Sequence, residues 1–255
     1  MKGQTPQPKV IIDAVKFKGA THVPRSIRGR LVTSLKQREF DGDSNWIEEF
    51  QEAVRDSWQQ QGYFNAKLRA EAQIVSSDST RHRVSVTAHI DEGRQYWLGD
   101  IRFTDATVFP PEELRKLIPL REGEVFNAHK IRDGMDALRE MYGSKGYIDF
   151  VLAPLTEVDE VRQRISLMME LQEGQRIRVG RIEVLGLGQR MESLLKFELK
   201  PGDPFNPKLV NDFYKENKAV LPPDASPEDI QLHRDLQKGT VSLVFDFRTC
   251  PQPED

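Results

Sequence analysis

Histidines are the residues of this chain best suited to hold a metal ion, and they are scattered. A structural zinc site requires ligands at short, regular spacing, and no two of them have it. His82 and His89 lie on or near one predicted strand, but at positions that point to opposite faces. The sequence therefore predicts no metal site and no cofactor. The five histidines are His22, His82, His89, His129 and His233.

Other motifs that could do catalysis are incomplete. His233-Arg234-Asp235 matches the catalytic triplet of kinases, but no glycine-rich loop, strand lysine or Asp-Phe-Gly accompanies it. Gly186-Leu187-Gly188 stands where a dinucleotide loop would begin, yet Met191 holds the place of the third glycine. The pairs Glu48-Glu49 and Glu112-Glu113 fall in first helical turns, where negative charge is favourable. We predict that the protein is not an enzyme.

Composition excludes further classes. The 255 residues carry 37 basic and 40 acidic side chains without a basic block, which argues against nucleic acid as a ligand. No apolar stretch approaches the roughly 20 residues of a membrane helix. Residues 1–8 form a polar, proline-rich leader that is not a secretion signal, so the protein is cytosolic or a signal was removed. Cys250 is the only cysteine, which excludes an internal disulfide.

A repeat organises the chain. Glu173-Gly174 follows Glu92-Gly93 by 81 residues (173 − 92), and Gly180 follows Gly99 by the same step. The sequence Gly-x-x-Phe-Asn at 123–127 recurs at 202–206. Because a fixed period is typical of duplicated modules, we expect three copies of one small unit.

The first copy predicts the order β-α-α-β-β. Its strands are predicted at 10–17, 66–74 and 84–90, and its helices begin near Pro24 and after Asn45. In the last strand, alternate residues are apolar and should face the core. These are Val84, Val86, Ala88 and Ile90.

The later copies follow the same order. The second has predicted strands at 96–103, 150–155 and 164–171 and helices at 110–118 and after Asn127. Pro154 cannot donate a ladder hydrogen bond, so its strand should lie at a sheet edge. The third copy has a strand at 177–185, a helix near 190–197 and another from Asn206-Pro207. Its end is open to two interpretations: a helix from Ser226, or a hairpin formed by 230–236 and 241–247, which the alternation favours.

Taken together, these motifs resemble tandem POTRA (polypeptide-transport-associated) domains of the BamA-like outer-membrane barrel assembly family. The resemblance is densest over residues 94–205 and weakest after 220. It divides the chain into modules at 9–93, 94–174 and 175–250, with a tail at 251–255. The residues that carry it are Tyr96–Phe103, Gly123, Phe126-Asn127, Tyr142, Gly146–Asp149 and Glu173-Gly174.

The resemblance implies an α+β fold in which each module is a three-stranded mixed sheet covered on one face by two helices. It further implies a periplasmic scaffold, associated with the outer membrane, that binds unfolded outer-membrane proteins or subunits of an assembly machine. Family members with a barrel are much longer. The chain is therefore a soluble fragment, or a POTRA-only protein that works beside a separate barrel.

Clients of this family can add a strand to an exposed sheet edge, because an unpaired strand offers backbone donors and acceptors to any sequence. The candidate edges are 66–74 and 150–155. Two alternatives stay open: the edges are capped by a neighbouring module or by solvent, or the whole chain is a rigid spacer that binds no client. The predicted partner-binding residues are Lys67, Leu68, Arg69, Ala70, Glu71, Ala72, Phe150, Val151, Leu152 and Ala153.

Overall fold

A computed structural model describes residues 8–42 and 45–248. The described chain contains ten strands and six α-helices. The strands form three mixed sheets of four, three and three strands. The fold is therefore α+β. The strands are β1 (Lys9–Lys18), β2 (Glu39–Asp41), β3 (Lys67–Ser77), β4 (Arg81–Asp91), β5 (Trp97–Thr104), β6 (Val151–Asp159), β7 (Arg164–Gln172), β8 (Arg178–Leu185), β9 (Ile230–Asp235) and β10 (Thr240–Asp246). The helices are α1 (Arg25–Gln37), α2 (Trp46–Gln59), α3 (Pro111–Lys116), α4 (Ala128–Ser144), α5 (Gln189–Glu192) and α6 (Pro207–Glu216), with a 3-10 turn at Pro227–Asp229.

The first sheet has the strand order β2-β1-β4-β3. β1 and β4 pair in parallel, and β3 pairs with β4 in the antiparallel sense. The apolar stripe of α2, Phe50, Val54 and Trp58, is buried in the core on one face of this sheet. The prediction of three strands is therefore wrong for this first sheet, which has four. The extra strand β2 forms because Phe40 buries its ring in the same core, which brings its neighbours beside β1.

The other two sheets have the orders β5-β7-β6 and β8-β10-β9. In each sheet the last strand of the copy lies between two others: β4 between β1 and β3, β7 between β5 and β6, and β10 between β8 and β9. The alternation predicted for β4 is confirmed, and β7 shows the same inward set. Pro154 lies on the border strand β6, as predicted. The inward residues of β7 are Ile165, Leu167, Met169 and Leu171.

The third copy ends in the hairpin of β9 and β10, which confirms the favoured interpretation. Its first helix is shorter than predicted, since α5 ends at Glu192 instead of continuing to 197. The physical reason lies at Lys196, whose N–H donates to the side chain of Asn217 and whose carbonyl accepts from it. No helix among the described residues has the length and apolar character needed to span a membrane.

The chain divides into two compact units. One comprises the described residues of Met1–Ile101, Ile118–Gly134 and Thr156–Met168, and the other those of Arg102–Leu117, Met135–Leu155 and Met169–Asp255. The predicted module boundaries at 93 and 174 stay a prediction. The predicted leader (1–8, except Pro8), the tail and Cys250 lie outside the described residues.

Each unit contains one joint between successive copies. In the first, the N–H of Tyr96 donates to the carbonyl of Gly62 at 2.8 Å, and the carbonyl of Tyr96 accepts from the N–H of Phe126 at 2.9 Å. The second unit repeats this pattern around Ile177. Its N–H donates to the carbonyl of Gly146 at 2.8 Å, and its carbonyl accepts from the N–H of Phe205 at 2.9 Å. At each joint, one backbone hydrogen bond therefore reaches the preceding copy and the other ties the same residue to its own copy.

Candidate functional site

The first predicted edge is an edge in the structure. β3 is a border strand of its sheet, and within the part of the chain that the structure describes it pairs with β4 alone, from Lys67 opposite Asp91 to Ser77 opposite His82. The strand has two faces of different chemistry. Lys67, Arg69 and Glu71 are exposed on one side. On the other side, Leu68, Ala70 and Ala72 are half-buried against the core.

The second predicted edge also lies at a border, on β6. Three of its four predicted residues belong to this strand: Val151 and Ala153 are exposed, and Leu152 is buried. Phe150 does not belong to the strand. It lies in the preceding turn, where its ring stacks on Tyr142 with the ring centroids 4.0 Å apart. This edge therefore begins one residue later than predicted, and it runs on to Asp159.

Sequence reasoning did not propose β9, the border strand of the third sheet that corresponds to β3 and β6. Among the described strands β9 pairs with β10 alone, and it carries the exposed side chain of Leu232. The sequence contained a signal for this border strand, because it favoured a hairpin of β9 and β10. Since β10 also pairs with β8 on its other side, β9 lies at the border. The ability of any of these edges to bind a client stays a prediction.

The second feature that the sequence did not reveal is a buried carboxylate at the first Glu-Gly landmark. Glu92 is 4% exposed, one residue after β4. Its oxygen atoms accept hydrogen bonds from the backbone N–H groups of Thr21, His22 and Val23, which precede α1, at 3.0, 2.9 and 3.3 Å. The indole of Trp58 on α2 donates a further bond at 3.0 Å. One side chain thus ties together the last strand and both helices.

Glu92 is held in its ionised form. Burial alone would raise the pKa of the carboxyl group, because it removes water from the charge. The hydrogen bonds from the His22 N–H, the Trp58 indole and the His22 ring outweigh burial and lower the pKa to about 2. Near neutral pH the carboxylate is therefore ionised, which suits it to accept these hydrogen bonds.

The second landmark repeats the arrangement in the other unit. Glu173 accepts hydrogen bonds from the N–H groups of Thr107 and Val108, from the Thr107 hydroxyl, and from the hydroxyl of Tyr142 at 2.7 Å. Burial opposes ionisation of Glu173, but these donors lower its pKa. Burial and the adjacent carboxylate raise the pKa of the Tyr142 hydroxyl. We call these two carboxylates, Glu92 and Glu173, the glutamate clamps.

The position of each clamp in the alternating pattern of its strand could have indicated that the glutamate is buried. Glu92 has the same parity as the inward residues Ala88 and Ile90, and Glu173 has the same parity as Leu171. A charged residue that continues an inward-facing set must be buried, and a buried carboxylate needs donors. Among the described residues, no group of three or more His, Cys, Asp or Glu side chains is placed to hold a metal ion.

Two stretches of the chain match a known family. Residues 10–93 and 96–174 each match POTRA, described as "Surface antigen variable number repeat". The chain belongs to the POTRA family. The two matched spans end at the glutamate clamps, and the third copy lies outside them.

The chain is similar to parts of longer curated proteins. The chain is 25% identical to a putative outer membrane protein assembly factor of Treponema pallidum, over 93% of this chain and 30% of that protein. It is 22% identical to the outer membrane protein assembly factor BamA of Neisseria meningitidis serogroup B, over 75% of this chain and 26% of that protein. The POTRA chain thus spans less than a third of the length of these relatives.

A solved structure shows the same fold over all three copies. The crystal structure of Haemophilus influenzae BamA POTRA3-5 aligns with 98% of this chain and 100% of its own, with a TM-score of 0.67 and 18% identity. At this identity the likeness concerns the fold. It includes the third copy, whose sequence departs most from the repeat.

Proposed function

We propose that this POTRA chain is a non-enzymatic periplasmic scaffold that binds polypeptides during outer-membrane protein assembly or polypeptide transport. Its clients would be unfolded outer-membrane proteins or subunits of an assembly machine. The family and the names of its relatives support the biological setting. The observation that carries the mechanism is the position of β3, an 11-residue strand with one neighbour.

Strand addition at β3 follows from the geometry of a sheet. In an antiparallel pair, each residue directs its N–H and C=O together either toward the partner strand or away from it. Along β3, every second residue therefore points both groups away from β4. An extended client that pairs with these groups gains main-chain hydrogen bonds irrespective of its sequence, while its side chains add selectivity.

A rigid spacer is the second candidate function, and the joints favour it. At each joint a backbone hydrogen bond links successive copies, from Tyr96 to Gly62 and from Ile177 to Gly146, and such fixed links suit a spacer. A spacer and a client-binding scaffold differ at β3. Only the scaffold protects the outward amides of Lys67–Ser77 from hydrogen exchange when an extended peptide is added.

The test combines hydrogen exchange with two proline variants at adjacent positions. Leu68→Pro and Arg69→Pro each remove one N–H, and because the direction alternates, one of the two removes a donor that points outward. That variant should keep its stability and lose peptide-dependent protection of β3, whereas the other should lose stability. Leu152 in β6 is unsuitable for this test because it is buried.

The central strand provides the internal control. β4 is paired on both sides, so the protection of Arg81–Asp91 should be the same with and without peptide. Unchanged exchange throughout β3, β6 and β9 at saturating concentrations of unfolded outer-membrane protein would contradict the scaffold and support the spacer.

A further inference from the structure

The face of the first sheet that the core leaves open carries a row of basic side chains. In this row, Lys18 of β1 stands opposite His89 of β4, and His89 stands opposite Arg69 of β3. All three lie on the side away from the core, since their neighbours Ile90 and Leu68 face inward. We call Lys18, His89 and Arg69 the basic row. It ends at the free border of the sheet.

Basic side chains outnumber acidic ones near this border: Lys18, Lys67 and Arg69 stand against Asp91 and Glu71. The basic row, Lys67 and Asp91 line a shallow depression of about 450 Å³ that is largely open to solvent. Within the described part of the chain, Lys18 and Lys67 form no ion pair, and the nearest carboxylate to Arg69 is that of Glu71 at 3.9 Å. Asp91 is the acidic residue that lines the depression, against two lysines and one arginine.

A strand added to β3 would continue this row. Neighbouring strands lie about 4.8 Å apart, and directly opposite side chains on one face come within about 5.5 Å of each other. A residue of the added strand that faces Arg69 would therefore continue the basic row, and one that faces Lys67 would lie beside a lysine whose neighbour on β4 is Asp91. The intervening residues would turn toward Leu68 and Ala70 on the apolar side.

We infer that β3 selects extended segments with acidic residues at two alternate positions, opposite Lys67 and Arg69, and small apolar residues between them. This inference depends on the proposed strand addition and specifies its client. Charge complementarity favours acidic over basic partners. Glu71, two residues further along the same face, limits the acidic stretch to two positions because a third carboxylate would face it.

The border strand β6 gives the contrast within the same molecule. The residues alternating on its exposed side are Val151, Ala153 and Leu155, and all three are apolar. No charge preference follows for this edge. The two edges therefore differ in the client that they favour, and β6 serves as the internal reference for β3.

The experiment compares three seven-residue peptides of the pattern Thr-Val-X-Val-X-Val-Thr, in which X is Asp, Lys or Thr. Each is titrated against the full chain at about 0.1 M salt, and protection of the β3 amides is followed by hydrogen exchange. Two opposite-charge pairs should make the Asp peptide bind about tenfold more tightly than the Lys peptide. Protection of β6 should be independent of X.

A charge reversal in the protein tests the cause. Arg69→Glu should abolish or invert the preference at β3, whereas Arg190→Glu, which makes the same change in net charge at an exposed position on α5, should leave it intact. Arg69→Gln is the milder variant should the reversal disturb folding. Equal protection of β3 by all three peptides overturns the acidic preference and leaves strand addition standing. Protection by none of them overturns strand addition as well.

Discussion

The indole nitrogen of Trp58 donates a 3.0 Å hydrogen bond to the carboxylate of Glu92, although the two residues are 34 positions apart. Both side chains are buried. This bond connects α2 with the end of the central strand, and the remaining bonds of the carboxylate hold the chain that enters α1. The first glutamate clamp thus fixes both helices relative to the sheet through one ionised group.

Replacing this carboxylate by an amide should destabilise the first unit. Glu92→Gln keeps the shape but loses the charge, and it places an NH2 group among donors that then lack an acceptor. We expect the free energy of unfolding to fall by about 2–3 kcal/mol, measured by urea denaturation. Glu71→Gln on the exposed side of β3 is the matched control and should change it by less than about 0.5 kcal/mol. A loss equal to the control would contradict the clamp.

The clamp should also make stability depend on pH. Because the pKa of Glu92 is lowered from its ordinary value of 4.5 to about 2, the folded state favours the ionised form. The contribution is complete above about pH 4.5 and is lost as the pH falls toward 2. It amounts to the order of 3 kcal/mol. Urea denaturation of the native chain and of Glu92→Gln at several pH values should give curves that converge toward pH 2, and a constant difference would disprove the assignment.

Two glycines three positions apart should respond oppositely to alanine. Gly146 has φ +91°, and an added Cβ would lie 2.4 Å from the carbonyl oxygen of Ile177 at the second joint. Gly146→Ala should therefore cost at least about 2 kcal/mol. Gly143 is in α4, and no atom outside its own helix lies within 4 Å of an added Cβ. Gly143→Ala should stabilise the protein by up to about 1 kcal/mol. Thermal unfolding of both variants is the measurement, and a shift of the same sign would count against the joint geometry.

Asn217 should be the most sensitive polar residue of the third copy. It is 2% exposed, and its amide bonds the backbone of Lys196 in both directions and the carbonyl of Phe213. Asn217→Ala leaves these buried groups without partners and should cost about 2–3 kcal/mol. Asn211→Ala on the exposed face of α6 is the control. Equal stability of the two variants in urea would show that Lys196 is held by other contacts.

The sequence predicted the central strands well because burial of one face imposes a period of two. Val86 and Leu167 could be assigned to the core from alternation alone. Prediction from the sequence failed for elements whose ends or existence depend on tertiary contacts. The strand β2 has three residues, too few to show a period, and it depends on Phe40 reaching the core. The end of α5 depends on Asn217, a side chain 21 positions from Lys196.

The sequence predicts the candidate edge strands in part. The border position of β6 follows from Pro154, whereas that of β3 is implied only by the family resemblance. The sequence does not show that Phe150 precedes the strand, because its stacking on Tyr142 is a tertiary contact. The basic row could not be found in the sequence, because Lys18, His89 and Arg69 come from three separate strands and only the register brings them together.

The joints have a consequence for how such chains grow and shrink. Their backbone hydrogen bonds are made by main-chain atoms, so a tyrosine at 96 and an isoleucine at 177 can both make them. Side chains add contacts at the same place: at the first joint the Asn127 amide donates to the carbonyl of Gln60, and Phe64 packs edge-on against Phe126. A gene duplication that inserts one whole copy therefore keeps the main-chain part of the connection, whereas the side-chain contacts at the new seam must be rebuilt.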